Sequence, residues 1–159
     1  MQEVSTMIDA VIAIDPGLVT GFAVLADPHG EAIFSSFEQE GGRFGAAAAY
    51  GNVVSIFRPE LLVVEDFIIS NATARKTAQP DPYRAIGWLE TNAHLTGVPF
   101  KLQTPSLAKG FGTNEKLKAL GWYKVSKGGH ANDAARHLLV ATREFEPIAA
   151  KLLEFARNV

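Results

Sequence analysis

The sequence predicts a mixed five-stranded α/β sheet with helices on both faces. Three observations carry this. The N-terminal part holds three strand-like runs joined by turns, the pattern of an antiparallel meander. Beyond it, helix-like and strand-like segments alternate, so the later strands should lie parallel to the first. "LLVV" at 61–64 is short, unbroken and valine-rich, as in a strand covered on both faces. The 159 residues, 47% of them hydrophobic, suit one domain spanning 1–159 with a substantial core.

The elements follow in order. An apolar run at about 9 to 15 forms the first strand and stops at "DPGLVTG", a turn sequence. A second strand covers about 21 to 26. "ADPHGEA" then turns the chain into a third strand at about 31 to 38. "AAAA" at 46–49 marks a helix over about 43 to 57, closed by Arg58-Pro59, since the residue before proline resists helical geometry. "ELLVVEDF" is the fourth strand, and "SNATARKTAQPDP" a loop. Pro82 opens a helix that Gly97 stops. "VPFKLQT" is the fifth strand. Short helices at about 105 to 110 and 113 to 120 lead to the glycine-rich "SKGGH". A long helix runs from about 131, bent or restarted at Pro147.

Composition removes several classes. Without cysteine there are neither disulfides nor thiolate metal sites, which suits a reducing cytosol. "MQEVSTMIDAVIAI" has no basic leader region and no cleavage site, and its apolar run is too short to span a bilayer, so a cytoplasmic protein without a membrane partner is expected. "NAT" at 71–73 matches a glycosylation sequon by chance. A net charge of −2 counts mildly against a nucleic-acid binder. Charge distribution matters more than its sum. Arg75, Lys76, Lys101, Lys109, Lys116, Lys118, Lys124 and Lys127 fall in a stretch with few acids, which reads equally as a binding patch or as scattered solubilising lysines.

Asp15 ends strand one and Glu65 ends strand four. If these strands are parallel neighbours, both carboxylates lie at carboxyl ends, where ligand sites form in open α/β sheets. Asp133 lies in the first turn of the last helix, with His130 one turn before it. Carboxylates converging there would repel unless a cation intervened; Mg²⁺ and Mn²⁺ take oxygen ligands, and Mn²⁺ also accepts imidazole. Two such ions about 3.5–4 Å apart suit phosphodiester hydrolysis. Each residue has a plainer reading. Asp15 before Pro-Gly makes a turn. Asp66, pointing to the other face, competes with Glu65. Asp133 favours a helix N-terminus, with Asn132 as cap. His130 serves equally as a loop residue bonded to a backbone carbonyl. His137, four residues after Asp133, is a packing residue or a partner of a ligand, with ligation as the lesser alternative. His29 and His94 look incidental.

With those residues identified, most of the chain resembles the RuvC-type Holliday junction resolvases of the RNase H-like superfamily, which include compact phage-encoded members. "IDPGLVTGFAVL" is similar to the family's first motif, and "LLVVEDF" to the strand carrying its catalytic Glu. "TPSLAKGFGTNEKLKAL" resembles the lysine-containing stretch that approaches DNA phosphates. "HANDAARHLLVA" resembles the final motif, with His130 at the first of its two acidic positions. The resemblance implies an RNase H-like nuclease domain with Asp15, Glu65, His130 and Asp133 as catalytic residues holding two Mg²⁺ or Mn²⁺ ions. It implies phosphate contacts by Lys109 and Lys116. Arg75, Lys76, Lys124 and Lys127 are further DNA-binding candidates, supplying salt-dependent affinity, and Phe67 is a stacking candidate. There are departures. The stretch between Lys109 and Lys116 is short, Phe67 stands one residue before the family's wedge position, and the net charge is acidic.

The expected activity is metal-dependent hydrolysis that leaves 5′-phosphate and 3′-hydroxyl ends. A homodimer would nick four-way junctions symmetrically, with forks and flaps as further substrates, in the cytoplasm of a cell or of a phage host. The helix at 82–97, with Trp88 and Leu89, is the candidate dimer surface, or simply an amphipathic helix on its own sheet. Trp122 and Tyr123 read as core, with base stacking as the alternative. Three other readings stand beside this one: an RNA-processing nuclease of the YqgF type, a branched-DNA-binding protein without catalysis, and an ATPase of the sugar-kinase and actin type. The last needs two such domains around a cleft.

Overall fold

The computed structural model describes residues 8–27, 32–68 and 80–144. The strands are β1 (Ile8–Asp15), β2 (Val19–Ala26), β3 (Ile33–Glu40), β4 (Phe57–Glu65) and β5 (Phe100–Gln103). The helices are α1 (Gly42–Ile56), α2 (Asp81–Thr96), α3 (Pro105–Phe111), α4 (Asn114–Ala119) and α5 (His130–Glu144). The sheet order is β3-β2-β1-β4-β5. β1, β2 and β3 pair antiparallel, while β4 lies parallel to β1 and β5 parallel to β4. This is the expected mixed sheet. His29, Arg75, Lys76, the sequon and Pro147 lie outside the described residues.

Alternation along the strands divides the core in two. Ile12, Ile14, Phe22, Leu62 and Val64 face α1 and α2 through Tyr50, Val53, Ile86 and Leu89. Val11, Ala13, Ala23, Leu61 and Val63 face Ala134, Ala135 and Leu138 of α5, with Leu117 and Trp122 beside them. Each face buries apolar surface worth roughly 25 cal/mol per Å². Trp122 is buried and stacks on Phe34 at 4.4 Å, so it is a core residue. Leu89 is likewise buried and cannot belong to a dimer surface, whereas Trp88 is half-exposed against Tyr50. Among the described residues no helix is long and apolar enough to cross a membrane.

Two expectations need correction. Arg58-Pro59 does not separate α1 from β4: the strand starts at Phe57 and takes both residues in. The ladder with β1 shifts there, Ala10 facing Pro59 but Val11 facing Leu61, so Glu60 is one extra residue in β4. Proline has no N–H to give a ladder and is tolerated at such a bulge. Nor is Asn132 a helix cap. It lies within α5, buried, and its side chain clasps the preceding loop. Lys124 N–H donates to Asn132 Oδ1 at 2.9 Å, and Asn132 Nδ2 donates to Lys124 O at 2.6 Å. Asn132→Ala would leave two backbone groups unpaired and should cost about 2 kcal/mol. The check is the denaturation midpoint at unchanged slope.

Candidate active site

Strand register builds the site. Glu38 pairs with Gly21, Gly21 with Asp15, and Glu65 with Gln103. Ile14 faces Val64, so Asp15 and Glu65 are the next neighbours at the tips of β1 and β4. One lateral row therefore crosses all five strands: Glu38, Gly21, Asp15, Glu65, Gln103. It lies on the face covered by α5, because it continues the alternation of Ala13, Ala23 and Val63. This phase selects Glu65 over Asp66, whose backbone N–H instead donates to Gln103 O at 2.8 Å.

The first turns of α5 lie across that row. Gly21 permits this: a Cβ there would fall 2.0 Å from His130 O. His130 is the first residue of α5, and its Nδ1 stands 2.9 Å from Asp15 Oδ2. Asp15 is only 7% exposed. Burial pushes its carboxyl up to about 6; the His130 bond opposes this, while Glu65 and Asp133 reinforce it. The bond to Asp15 raises the His130 imidazole above its ordinary value, against the effect of burial. Glu38 accepts from Ser126 Oγ at 2.9 Å and from Ala131 N–H at 3.2 Å. Burial alone would raise Glu38, but those donors and the His130 charge outweigh it and hold the carboxyl low.

Further along α5, His137 is wholly buried, with Nε2 2.6 Å from Glu65 Oε2 and Nδ1 2.9 Å from Gln103 Oε1. Asp133 pairs with Arg136, Nη1 to Oδ1 2.6 Å. Each of the three carboxylates is thus closed by a protein partner, and among the described residues no three His, Asp or Glu stand close enough to form a ready-made metal cage. In kind, however, the donor set fits a hard divalent cation: carboxylate oxygens and one imidazole. The elevated Asp15 is consistent with the fit: burial raises it first, Glu65 and Asp133 add to it, and a cation would offset each of these.

The DNA-binding candidates lie away from this row or are engaged locally. Lys109 is exposed on α3, and Lys127 on the loop before α5. Lys116 donates to Phe111 O at 2.9 Å and sits 3.9 Å above the Phe111 ring. Lys124 Nζ bonds Ser36 O. Phe67 is half-buried: it packs against the core beneath α1 and α2, edge-to-face with Tyr83 at 5.1 Å.

No protein-family profile matches the chain, and no curated protein matches it. Solved structures do. T. thermophilus RuvC in complex with Holliday junction substrate aligns at 23% identity and TM-score 0.57, over 82% of this chain and 89% of that one. A second T. thermophilus RuvC structure aligns at 22% identity and TM-score 0.57, over 82% and 90%. The chain has the RuvC fold. The RNase H-like architecture read from the sequence is therefore correct. On this fold Asp15 and Glu65 end neighbouring strands and His130 bonds Asp15 at the start of α5, while Asp133, one turn further on, pairs with Arg136. Sequence reasoning missed Glu38, Gln103 and Arg136. Gln103 ends the third parallel strand, and Arg136 stands at i+3 from Asp133, so both carried a readable signal. Glu38 had none until the hairpin register was fixed.

Proposed function

We propose that the chain is a metal-dependent, structure-selective endodeoxyribonuclease that resolves four-way DNA junctions. The observation that carries this reading is the buried Asp15 carboxyl. It lies beside Glu65 and within the field of Asp133, at the tips of parallel strands, on a fold shared with a RuvC that was solved with a Holliday junction. Carboxylates gathered in this way are costly to keep unless a cation uses them.

In this reading Asp15, Glu65 and Asp133 hold Mg²⁺ or Mn²⁺, two ions in all, with His130 as a nitrogen ligand or proton acceptor. The ions would supply Lewis-acid activation for hydrolysis of a phosphodiester to 5′-phosphate and 3′-hydroxyl ends. The protein's own contribution is positioning. His130 orients Asp15 through Nδ1, and His137 with Gln103 holds Glu65. Glu38 pins the start of α5 through Ala131 N–H. Lys109 and Lys127 supply exposed positive charge for phosphates, Arg75 and Lys76 add to it, and Lys116 and Lys124 join once DNA competes for their ammonium groups. A homodimer would place two such sites on one junction, in a cytoplasmic setting.

The test is a nicking assay on a synthetic four-way junction in EDTA, Mg²⁺ and Mn²⁺, beside linear duplex and structured RNA. Paired nicks across the junction that need a divalent ion are expected. Preferential cutting of the RNA would support the RNA-processing alternative. One observation favours a second reading, a branched-DNA-binding protein that does not cut: every carboxylate here already has a protein partner. Tight junction binding with no nicking in either ion would establish that reading and overturn the nuclease.

A further inference from the structure

Arg136 is the centre of a cluster that the catalytic reading leaves unused. From α5 it reaches three acceptors at once. Nη1 donates to Asp133 Oδ1 at 2.6 Å, Nε donates to Gly112 O at 2.8 Å, and Nη2 bonds Asn114 Oδ1. Its side chain is only 14% exposed. The turn between α3 and α4 is moulded to it: a Cβ at Gly112 would fall 2.8 Å from both Arg136 Cβ and Cγ. That turn lies between Lys109 and Lys116. One planar cation therefore ties a candidate metal ligand to the segment that carries candidate phosphate contacts.

We propose that Arg136 is a latch: its guanidinium fills the place of a cation on Asp133, and a divalent ion must displace it, releasing the Gly112–Asn114 turn as it binds. This rests on the reading of Asp133 as a metal ligand. A fixed positive charge within 3 Å of a ligand oxygen opposes a second cation at that oxygen, and shared occupation of one carboxylate links the two events. Linkage is reciprocal, so removing the positive charge from Asp133 tightens the ion, and the ion, by displacing Arg136, loosens the turn. Arg136 is thus a positioning residue acting through Asp133. An anchor with a purely structural role predicts the opposite sign, since its loss would let Asp133 wander and weaken the site.

The experiment titrates Mn²⁺ alone into DNA-free protein by calorimetry, with hydrogen exchange of the Gly112 and Thr113 amides followed in parallel. Arg136→Gln should bind Mn²⁺ roughly five- to tenfold tighter than wild type. Arg136→Lys, which keeps the charge, should stay within about twofold of wild type while losing the forked grip on the turn. In the wild-type protein, saturating Mn²⁺ should speed exchange at Gly112 and Thr113, a measurement that needs no variant to fold. Unchanged or weaker binding by folded Arg136→Gln, or turn exchange indifferent to Mn²⁺, overturns the latch. Asp15→Asn separates the two failures. If wild type binds and Asp15→Asn does not, an unchanged Arg136→Gln sinks the latch alone. If wild type binds no Mn²⁺, the metal reading falls and takes the latch with it.

Discussion

Asp15→Asn is expected to produce a protein that is more stable without metal and unable to nick a junction. The buried carboxyl rises from 3.8 to about 6 on folding, chiefly through burial, with Glu65 and Asp133 adding to it. A rise of that size corresponds to about 3 kcal/mol between the charged and neutral forms. Asparagine removes the charge but keeps an oxygen for His130, so the metal-free variant should gain about 1–2 kcal/mol at pH 8. The sign fixes the pH window. A carboxyl whose pKa is raised by folding is bound to its proton more often in the folded state. Stability therefore falls as pH climbs from about 4 through 6 and stays reduced above. His130, raised chiefly by its bond to Asp15, acts in the same direction: its contribution is full below its unfolded value and fades as pH passes the folded one. In EDTA the wild type should melt higher at pH 5.5 than at pH 8, and Asp15→Asn should flatten that difference. Melting of the variant below wild type at pH 8, or full nicking by a clean preparation, would contradict this account.

Gly21→Ala carries the largest expected cost in stability. Its added methyl would stand 2.0 Å from His130 O and 2.3 Å from His130 C, both backbone atoms at the start of α5. Relief requires lifting the helix from a face packed with Ala134, Ala135 and Leu138. Interiors at crystal-like density absorb such shifts poorly, and a loss of about 3 kcal/mol or more is expected. For a chain of this size that is a fall in melting temperature of roughly 6–12 °C. Gly87→Ala is the contrast: it lies within α2 with nothing near its would-be Cβ, and should stabilise by about 0.5–1 kcal/mol. Equal melting temperatures for the two variants would show that α5 does not need this close approach. Nicking should fall with Gly21→Ala as well, because His130 and Asp133 ride on the displaced turn.

Much of this was readable because strong local signals agreed. Proline at the start of α2 and glycine at its end bracket the helix, and the valine run marks a strand covered on both faces. Asp15, Glu65, His130 and Asp133 could be singled out because each stands at or near an element terminus, where side chains converge in α/β folds. What stayed hidden depends on register and tertiary pairing. Periodicity does not reveal that Glu38 shares a row with Asp15, nor that Gly21 is the gap α5 settles into. The packing of Phe67 against Tyr83 was likewise hidden, because a strand-end aromatic reads the same whether it faces solvent or a helix. Asn132 looked like a cap because asparagine just before Asp133 suits that position, whereas the helix already begins at His130.

The extra residue in β4 has a consequence for the chemistry. Before it the β1–β4 partners differ by 49 in number, as in Ala10 and Pro59; after it they differ by 50, as in Val11 and Leu61. Pleated chains obey parity. Had the count stayed at 49, Asp15 would lie level with Val64, and Glu65 would project among Tyr50 and Leu89 on the opposite side of the sheet. The bulge at Glu60 thus works as a parity bit: an irregularity near the start of β4 decides whether two acids at its far end share one compartment. A further residue inserted in β4 should spare the site only where a second bulge absorbs it; in a regular ladder it would turn Glu65 away from Asp15.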